Sequence, residues 1–386
     1  MIDSDYSQLI FPFGFILSQK AATEKALAEQ ISVIEGPPGT GKTQTILNII
    51  ANAMMNNKTV AVVSNNNSAT ANVLEKLEKY GVDFFAAFLG NKENKEKFFN
   101  EQKGVYPDMS SWIIPPQAIN TMKTILRDSQ QKLNDMLGIQ NRLSDLKQKF
   151  TELQTEYKYF NQYFQESGIG SMQLSSLYRI RSDNLLKLLF QFKKCLEKES
   201  VSFRTKLYNL FTYGIYSFRF YYYTPEAIVS FLQKSYYEKK MKELQNDIEA
   251  LTHKLGNYHF DREMKEYSAV SMKLLKAELV QQYKKGKNRV IFSTKDLWKN
   301  FDSFIKEYPV ILSTTHSLRS CTSENYLFDY VIIDEASQVD VVTGALALSC
   351  AKKAVIVGDY FVIFSLLATG NKKKLQILFG ILKCSA

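Results

Sequence analysis

The sequence is poor in side chains that hold metals: four cysteines and three histidines in 386 residues. Cys195, Cys321, Cys350 and Cys384 stand far apart with no CxxC spacing, which argues against a zinc site and fits free thiols in a reducing compartment. Long apolar runs are missing as well. The stretch "NLLKLLFQFKKCL", Asn184 to Leu196, is too short and too rich in lysine to span a bilayer. The apolar N-terminal stretch is flanked by Asp3 and Asp5, where a secretory signal needs basic residues. No internal repeat and no low-complexity linker breaks the chain. The expectation is a cytoplasmic protein that does not enter a membrane.

What is present is ordinary for a globular chain: 45% hydrophobic and 23% charged residues. A net charge of +10 and a pI near 9.1 point to an acidic partner, nucleic acid ahead of a membrane surface. Short β-branched or apolar runs recur at Ser32–Glu35, Val60–Val63, Phe84–Phe88, Val310–Ser313, Tyr330–Asp334 and Ala354–Asp359. Continuous apolar runs of this length suit strands buried on both faces. Helical segments follow several of them, for example Thr43–Asn57 and Ser68–Tyr80, so the fold class expected is α/β with a doubly wound parallel sheet.

The middle of the chain has a different period. Ile139, Leu143, Leu146, Phe150, Leu153, Tyr157, Phe160 and Phe164 recur in steps of four and three, as do Tyr237, Met241, Leu244, Ile248, Leu251, Leu255 and Tyr258. Such seams predict coiled-coil arms, simplest as an antiparallel hairpin, with "TPEA" at Thr224 as a helix start. The organisation expected is a sheet domain in two parts, 1–112 and 301–386, split by a helical insertion over 113–300. Between the arms, Ser202–Tyr223 interleaves Arg204, Lys206 and Arg219 with aromatics. That mixture suits stacking on a single strand, although a packed tip is the more economical reading. The basic runs Lys284–Arg289 and Asn371–Lys374 read as solvated loops.

The chemistry concentrates in two short motifs. "GPPGTGKT", Gly36 to Thr43, lies between an apolar run and a helical one. Gly36, Gly39 and Gly41 permit a tight loop around Thr40 whose backbone N–H groups wrap phosphates, aided by the positive end of the next helix. Lys42 then faces the β- and γ-phosphates, and Thr43 holds Mg²⁺. The second motif, "YVIIDEASQ", brings Asp334 to the end of a buried strand as a Mg²⁺ contact. Glu335 beside it is placed to orient an attacking water.

The pair "GPPGTGKT" and "DEASQ" resembles the superfamily 1 helicases, in the branch that includes the nonsense-mediated-decay helicases. Further segments are similar in order. "SQKAATEKAL" looks like the Q motif, which implies that Gln19 reads adenine. "VAVVSNNNSATANVLEKL" is similar to motif Ia, implying that Ser64 and Asn65 approach the nucleic-acid strand, and "VILSTTHSL" does the same for Thr314 and Thr315. "DEASQ" implies Gln338 as a link between the γ-phosphate and the rest of the motor, and "AVIVGD" looks like the start of motif III. The resemblance covers about Leu17–Lys95 and Tyr308–Asp359. It implies a RecA-like P-loop core using ATP and Mg²⁺ to move along single-stranded DNA or RNA, typically 5′ to 3′; separately, the arms could dock a protein partner, although a self-contained hairpin is the more economical reading.

Two departures shape the expectation. The family continues motif III as GD-P-K-Q-L, whereas this chain reads "GDYFVI", with Val362 in the place of the glutamine. Nothing resembling a second RecA-like lobe, which supplies transition-state arginines in the family, follows. An arginine of that kind is worth about 10³ to 10⁵ in rate. The chain is therefore expected to be weakly active alone, its tail after Asp359 reading as a truncated or frameshifted end or as a terminal helix over the sheet. A chromosome-maintenance ATPase is set aside because "RSCTSENYLFD" lacks the LSGGQ-like signature. A nucleotide-gated, non-catalytic regulatory module is the other class of reading.

Overall fold

The computed structural model describes residues 8–166, 180–195, 203–213, 215, 218–283 and 288–359. The expectations about Val362, the tail, Asn371–Lys374, Lys284–Lys287, Cys384 and the side chains of Cys195, Arg204, Lys206 and Arg219 lie outside the described residues. The chain divides into two compact units, Met1–Asn134 with Phe260–Ala386, and Asp135–His259.

The first unit opens with α1 (Leu17–Ala28), β1 (Ile31–Glu35), α2 (Lys42–Met55), β2 (Val60–Ser64), α3 (Asn67–Lys79), β3 (Ala86–Phe88) and α4 (Lys92–Asn100). Helix α5 (Pro116–Glu166) then crosses into the second unit, which also holds α6 (Ser182–Cys195), α7 (Phe203–Tyr213) and α8 (Pro225–Gly256). The first unit resumes with α9 (Phe260–Tyr283), α10 (Asp296–Lys299), α11 (Phe301–Glu307), β4 (Val310–Thr314), β5 (Phe328–Ile333), α12 (Val341–Leu348) and β6 (Ala351–Gly358).

The apolar runs become one sheet of six parallel strands in the order β1-β6-β5-β2-β4-β3. Val60, Val62, Val310, Leu312, Val331 and Ile332 have no accessible surface, because helices cover both faces and no alternation of polar residues is tolerated. One face packs on Phe301, Phe304, Ile305, Leu318 and Leu348. The register sets Glu35 beside Gly358, Ile333 beside Ile356 and Val63, and Ser64 beside Thr314. Five strand ends therefore share one level, which is where open α/β sheets bind ligands.

Helix α2 is buried on all sides from Thr45 to Met54, yet it carries Asn48 and Asn52 in that interior. Both amides are used. Asn48 accepts from Phe13 N at 3.3 Å and donates to Gly14 O at 2.9 Å; Asn52 accepts from Ile10 N at 2.9 Å and donates to Ile10 O at 2.7 Å. A buried amide that satisfies a passing backbone this way clamps it, since losing either partner strands a desolvated group. The segment leading into α1 is thereby tied to the helix that follows the P-loop.

Arg289, at the end of a run that reads as a solvated loop, is interior instead. Its Nε pairs with Glu307 at 2.6 Å, both side chains nearly buried, and its guanidinium stacks over Tyr308 at 4.4 Å. Burial and the Glu307 bond push the Tyr106 hydroxyl up to about 12, keeping it a neutral donor.

In the second unit, α5 and α8 run antiparallel: Tyr157 donates to Glu238 at 3.0 Å, and Phe160 lies 5.5 Å from Tyr237. Thr224 caps α8 by accepting from Ala227 N, with Pro225 at the first helical position. Leu185, Leu188 and Phe192 of α6 form a core with Phe220, Ile228 and Leu232. Phe211 and Tyr222 stay outside it, 81% and 85% exposed. The insertion expected over 113–300 compares with a second unit of Asp135–His259. The roots of its flanking helices belong to the first unit, where Leu126 and Leu133 are buried and Gln282 donates to Met54 O.

Candidate nucleotide-binding site

The loop from Gly36 to Gly41 joins β1 to α2 at the shared level of strand ends. Gly36 N donates to Gly358 O at 3.3 Å, so the loop begins by stitching onto β6. Gly39 and Gly41 take φ of 85° and 80°, left-handed values that favour glycine. A Cβ on Gly41 would stand 2.1 Å from the Gln19 amide. Helix α2 starts with no side-chain cap and no acidic residue in its first turn. Its first N–H groups and its positive pole are thus left for an anion.

Lys42 bonds the Gly36 carbonyl and Asp359 Oδ1, each at 2.5 Å. Thr43 follows it on α2, half-buried, and Thr40 Oγ1 donates to Pro37 O at 2.8 Å. Asp334 comes from the end of β5, held by its N–H to Val63 O at 2.8 Å, and is 6% exposed. Burial pushes its carboxyl up; the Glu335 N–H at 2.9 Å pulls back, the Glu335 charge pushes up again, and Lys42 and Lys76 pull down. Lys42 and Asp334, distant in sequence, thus follow the ends of β1 and β5, which flank β6 at one level of the sheet. Glu335 sits in a left-handed conformation, φ 50°, with its Oε2 buried and unpartnered. Gln338 is exposed and donates its N–H to Glu335 O at 2.8 Å.

Gln19 is buried and engaged on both sides of its amide. It accepts from Ile16 N at 3.0 Å and donates to Thr40 O at 2.9 Å, so it braces the P-loop directly. Beside it opens a cleft of about 620 Å³ lined by Phe13, Ile16, Gln44, Tyr80, Met264 and Met272. Of the residues that resemblance assigns to the strand, Asn65 is exposed and Thr314 half-buried, its hydroxyl on Gly90 O at 3.2 Å. Ser64 and Thr315 have essentially no accessible surface, and their hydroxyls are buried without a partner. They are neighbours, Thr315 N donating to Ser64 O at 3.0 Å.

Thr43 and Asp334 offer hard oxygen donors, and among the described residues no group of three or more His, Cys, Asp or Glu forms a metal cage. A small donor set suits Mg²⁺, which keeps waters and phosphate oxygens as its other ligands. The desolvated Asp334 and the orphaned Glu335 oxygen fit a cation arriving there. Sequence reading missed three contributors. Gln44, which donates to Phe13 O, and Asn48 and Asn52 recur every fourth residue along a helix otherwise apolar from Ile46 on, and that stripe was the available signal. The Lys42–Asp359 pair had none, because sheet order brings it about.

Among the described residues no helix is long and apolar enough to cross a membrane. A family profile described as an AAA domain matches residues 16–360. An uncharacterized ATP-dependent helicase of Methanocaldococcus jannaschii is 21% identical over 94% of this chain and 39% of its own length. The DNA polymerase alpha-associated DNA helicase A of Schizosaccharomyces pombe is 39% identical over 17% of this chain and 10% of its own. A regulator of nonsense transcripts 1 homolog of Neurospora crassa is 36% identical over 20% and 7%. The chain thus spans well under half of these relatives. With the P-loop, the strand-end Asp334 and the parallel sheet in one unit, the chain belongs to the AAA domain family, in its superfamily 1 helicase-like form.

Proposed function

We propose that this domain binds Mg·ATP and hydrolyses it as the nucleotide-binding lobe of a helicase-type motor acting on single-stranded DNA or RNA. The observation that carries the reading is the gathering of the glycine loop, Lys42 and Asp334 at one level of the sheet, at the ends of β1 and β5 on either side of β6. The loop N–H groups and Lys42 take the β- and γ-phosphates. Mg²⁺, held by the Thr43 hydroxyl and the Asp334 carboxylate, would neutralise phosphate charge. Glu335 orients the attacking water with its unpartnered oxygen, and Gln338, exposed at the mouth, senses the γ-phosphate. The apolar cleft beside Gln19 takes the base. A net charge of +10 suits a nucleic-acid partner, and at the strand-end row contact runs through Asn65 and Thr314, the accessible members. The exposed rings of the second unit are a further surface for a strand or a protein.

The test compares ATP turnover of the chain with and without single-stranded DNA or RNA. Strand-stimulated turnover that disappears in Lys42→Ala is expected. ATP binding without turnover would instead favour a nucleotide-gated regulatory module. Basal turnover indifferent to nucleic acid would remove the motor.

A further inference from the structure

We infer that Asp359 is a built-in competitor of nucleotide phosphate for Lys42, and so sets how tightly this site holds a di- or triphosphate. The inference rests on the reading that the site binds ATP, and it adds a residue which limits that binding.

The Lys42 ammonium has three N–H donors. Two of them are committed, to the Gly36 carbonyl and to Asp359 Oδ1. A phosphate oxygen that reaches Lys42 must displace the carboxylate or lie against it, like charge against like. The Asp359 backbone is held beside this encounter. It follows Gly358 at the end of β6, and the Gly358 carbonyl is bonded to Gly36 N, the first residue of the loop.

Exposure separates a displaceable partner from a permanent one. In the Lys42–Asp359 pair the side chains are 18% and 46% exposed; in the Arg289–Glu307 pair they are 8% and 12%. A half-exposed carboxylate regains water when it lets go, so releasing it costs little. A buried one leaves its partner charged and dry. The arrangement also spares Asp334. The ion pair of Lys42 is to Asp359, which leaves the carboxylate at the end of β5 open to a cation. Asp359 is a positioning residue that holds the lysine extended along the loop and yields it to phosphate.

The experiment titrates the full chain and Asp359→Asn with ATP, ADP and AMP by calorimetry, in Mg²⁺ and in EDTA. Asp359→Ser is the second variant, and circular dichroism checks both folds. Because Lys42 serves the β- and γ-phosphates, the variants should bind ATP and ADP about three- to five-fold more tightly, what a half-exposed pair is worth. AMP affinity should stay unchanged. If the unaltered chain binds neither ATP nor ADP, the nucleotide reading itself falls and this inference with it. If it binds them and the variants bind equally or more weakly, Asp359 is not a competitor and only the inference falls. A uniform gain that includes AMP would also overturn it, since the effect would not pass through Lys42.

Discussion

The strand ends of the first unit and the aromatic helices of the second hold different exceptions to good packing. In the first unit the exceptions are inside: Glu335 Oε2 and the hydroxyls of Ser64 and Thr315 are buried at the strand ends with no partner. In the second, rings lie outside: Phe211 and Tyr222 stand in solvent although Phe192 and Phe220 are buried, while the Asn209 amide of α7 is interior. Unpaired buried polar atoms cost stability and persist where chemistry needs them, whereas exposed rings cost little and mark contact surfaces. The difference teaches that the first unit leaves oxygens unpartnered at the proposed site, while the second displays rings that its core does not take in.

The largest effect that would break this contrast concerns Glu335. Glu335→Gln should leave ATP affinity nearly unchanged and lower turnover by about 10²- to 10⁴-fold, the worth of a positioned base. Single-turnover kinetics checks it, and a variant with full turnover would make the buried oxygen a packing accident. Next comes the second unit. Leu188→Ala should destabilise it by about 2 to 5 kcal/mol, read as a fall in its denaturant midpoint with ATP affinity unaltered. Phe211→Ala, fully outside, should change stability by less than about 0.5 kcal/mol. If the two changes cost the same, the division between core and display is wrong.

The smallest effect is a pH dependence. Burial raises the Asp334 carboxyl above its ordinary value of 3.8, so the folded chain holds that proton more tightly than the unfolded chain. The group's stabilisation is therefore complete below the ordinary value and is lost as pH rises through the raised one. At neutral pH the ionised carboxylate is a cost. Asp334→Asn should raise the melting temperature of the nucleotide-free protein at pH 7, the gain shrinking toward pH 4. A lower melting temperature at pH 7 would mean that Asp334 is a structural support.

Much of the first unit was legible in the sequence because a fully buried parallel strand can hardly be written any other way. Val60–Val63 and Tyr330–Asp334 lie within a residue or two of the strands formed, as does Ser32–Glu35, although its edge strand leaves Val33 and Glu35 exposed. Phe84–Phe88 was less so. Asp83–Phe85 makes a 3-10 turn and only Ala86–Phe88 pairs, since phenylalanines serve a turn as readily as a strand. The P-loop and Asp334 were legible as motifs, their adjacency only as a wager. What stayed hidden depends on contacts across the sheet. Burial of Ser64 and Thr315 follows from β2 lying between β4 and β5, and the Lys42–Asp359 bond from β6 lying beside β1. Arg289 looked solvated because its run is basic, whereas its partner Glu307 comes from a helix further along.

The most direct measurement is calorimetric titration of the chain with ATP in the presence of Mg²⁺, repeated for Lys42→Ala and Asp334→Asn. Saturable binding is predicted for the unaltered chain, weaker by about 30-fold or more in Lys42→Ala, as expected when one partner of a close charge pair is removed. In Asp334→Asn the affinity should no longer respond to Mg²⁺. Equal binding by all three proteins, or no binding by any, would contradict a site in which Lys42 and Asp334 hold one metal-bound triphosphate.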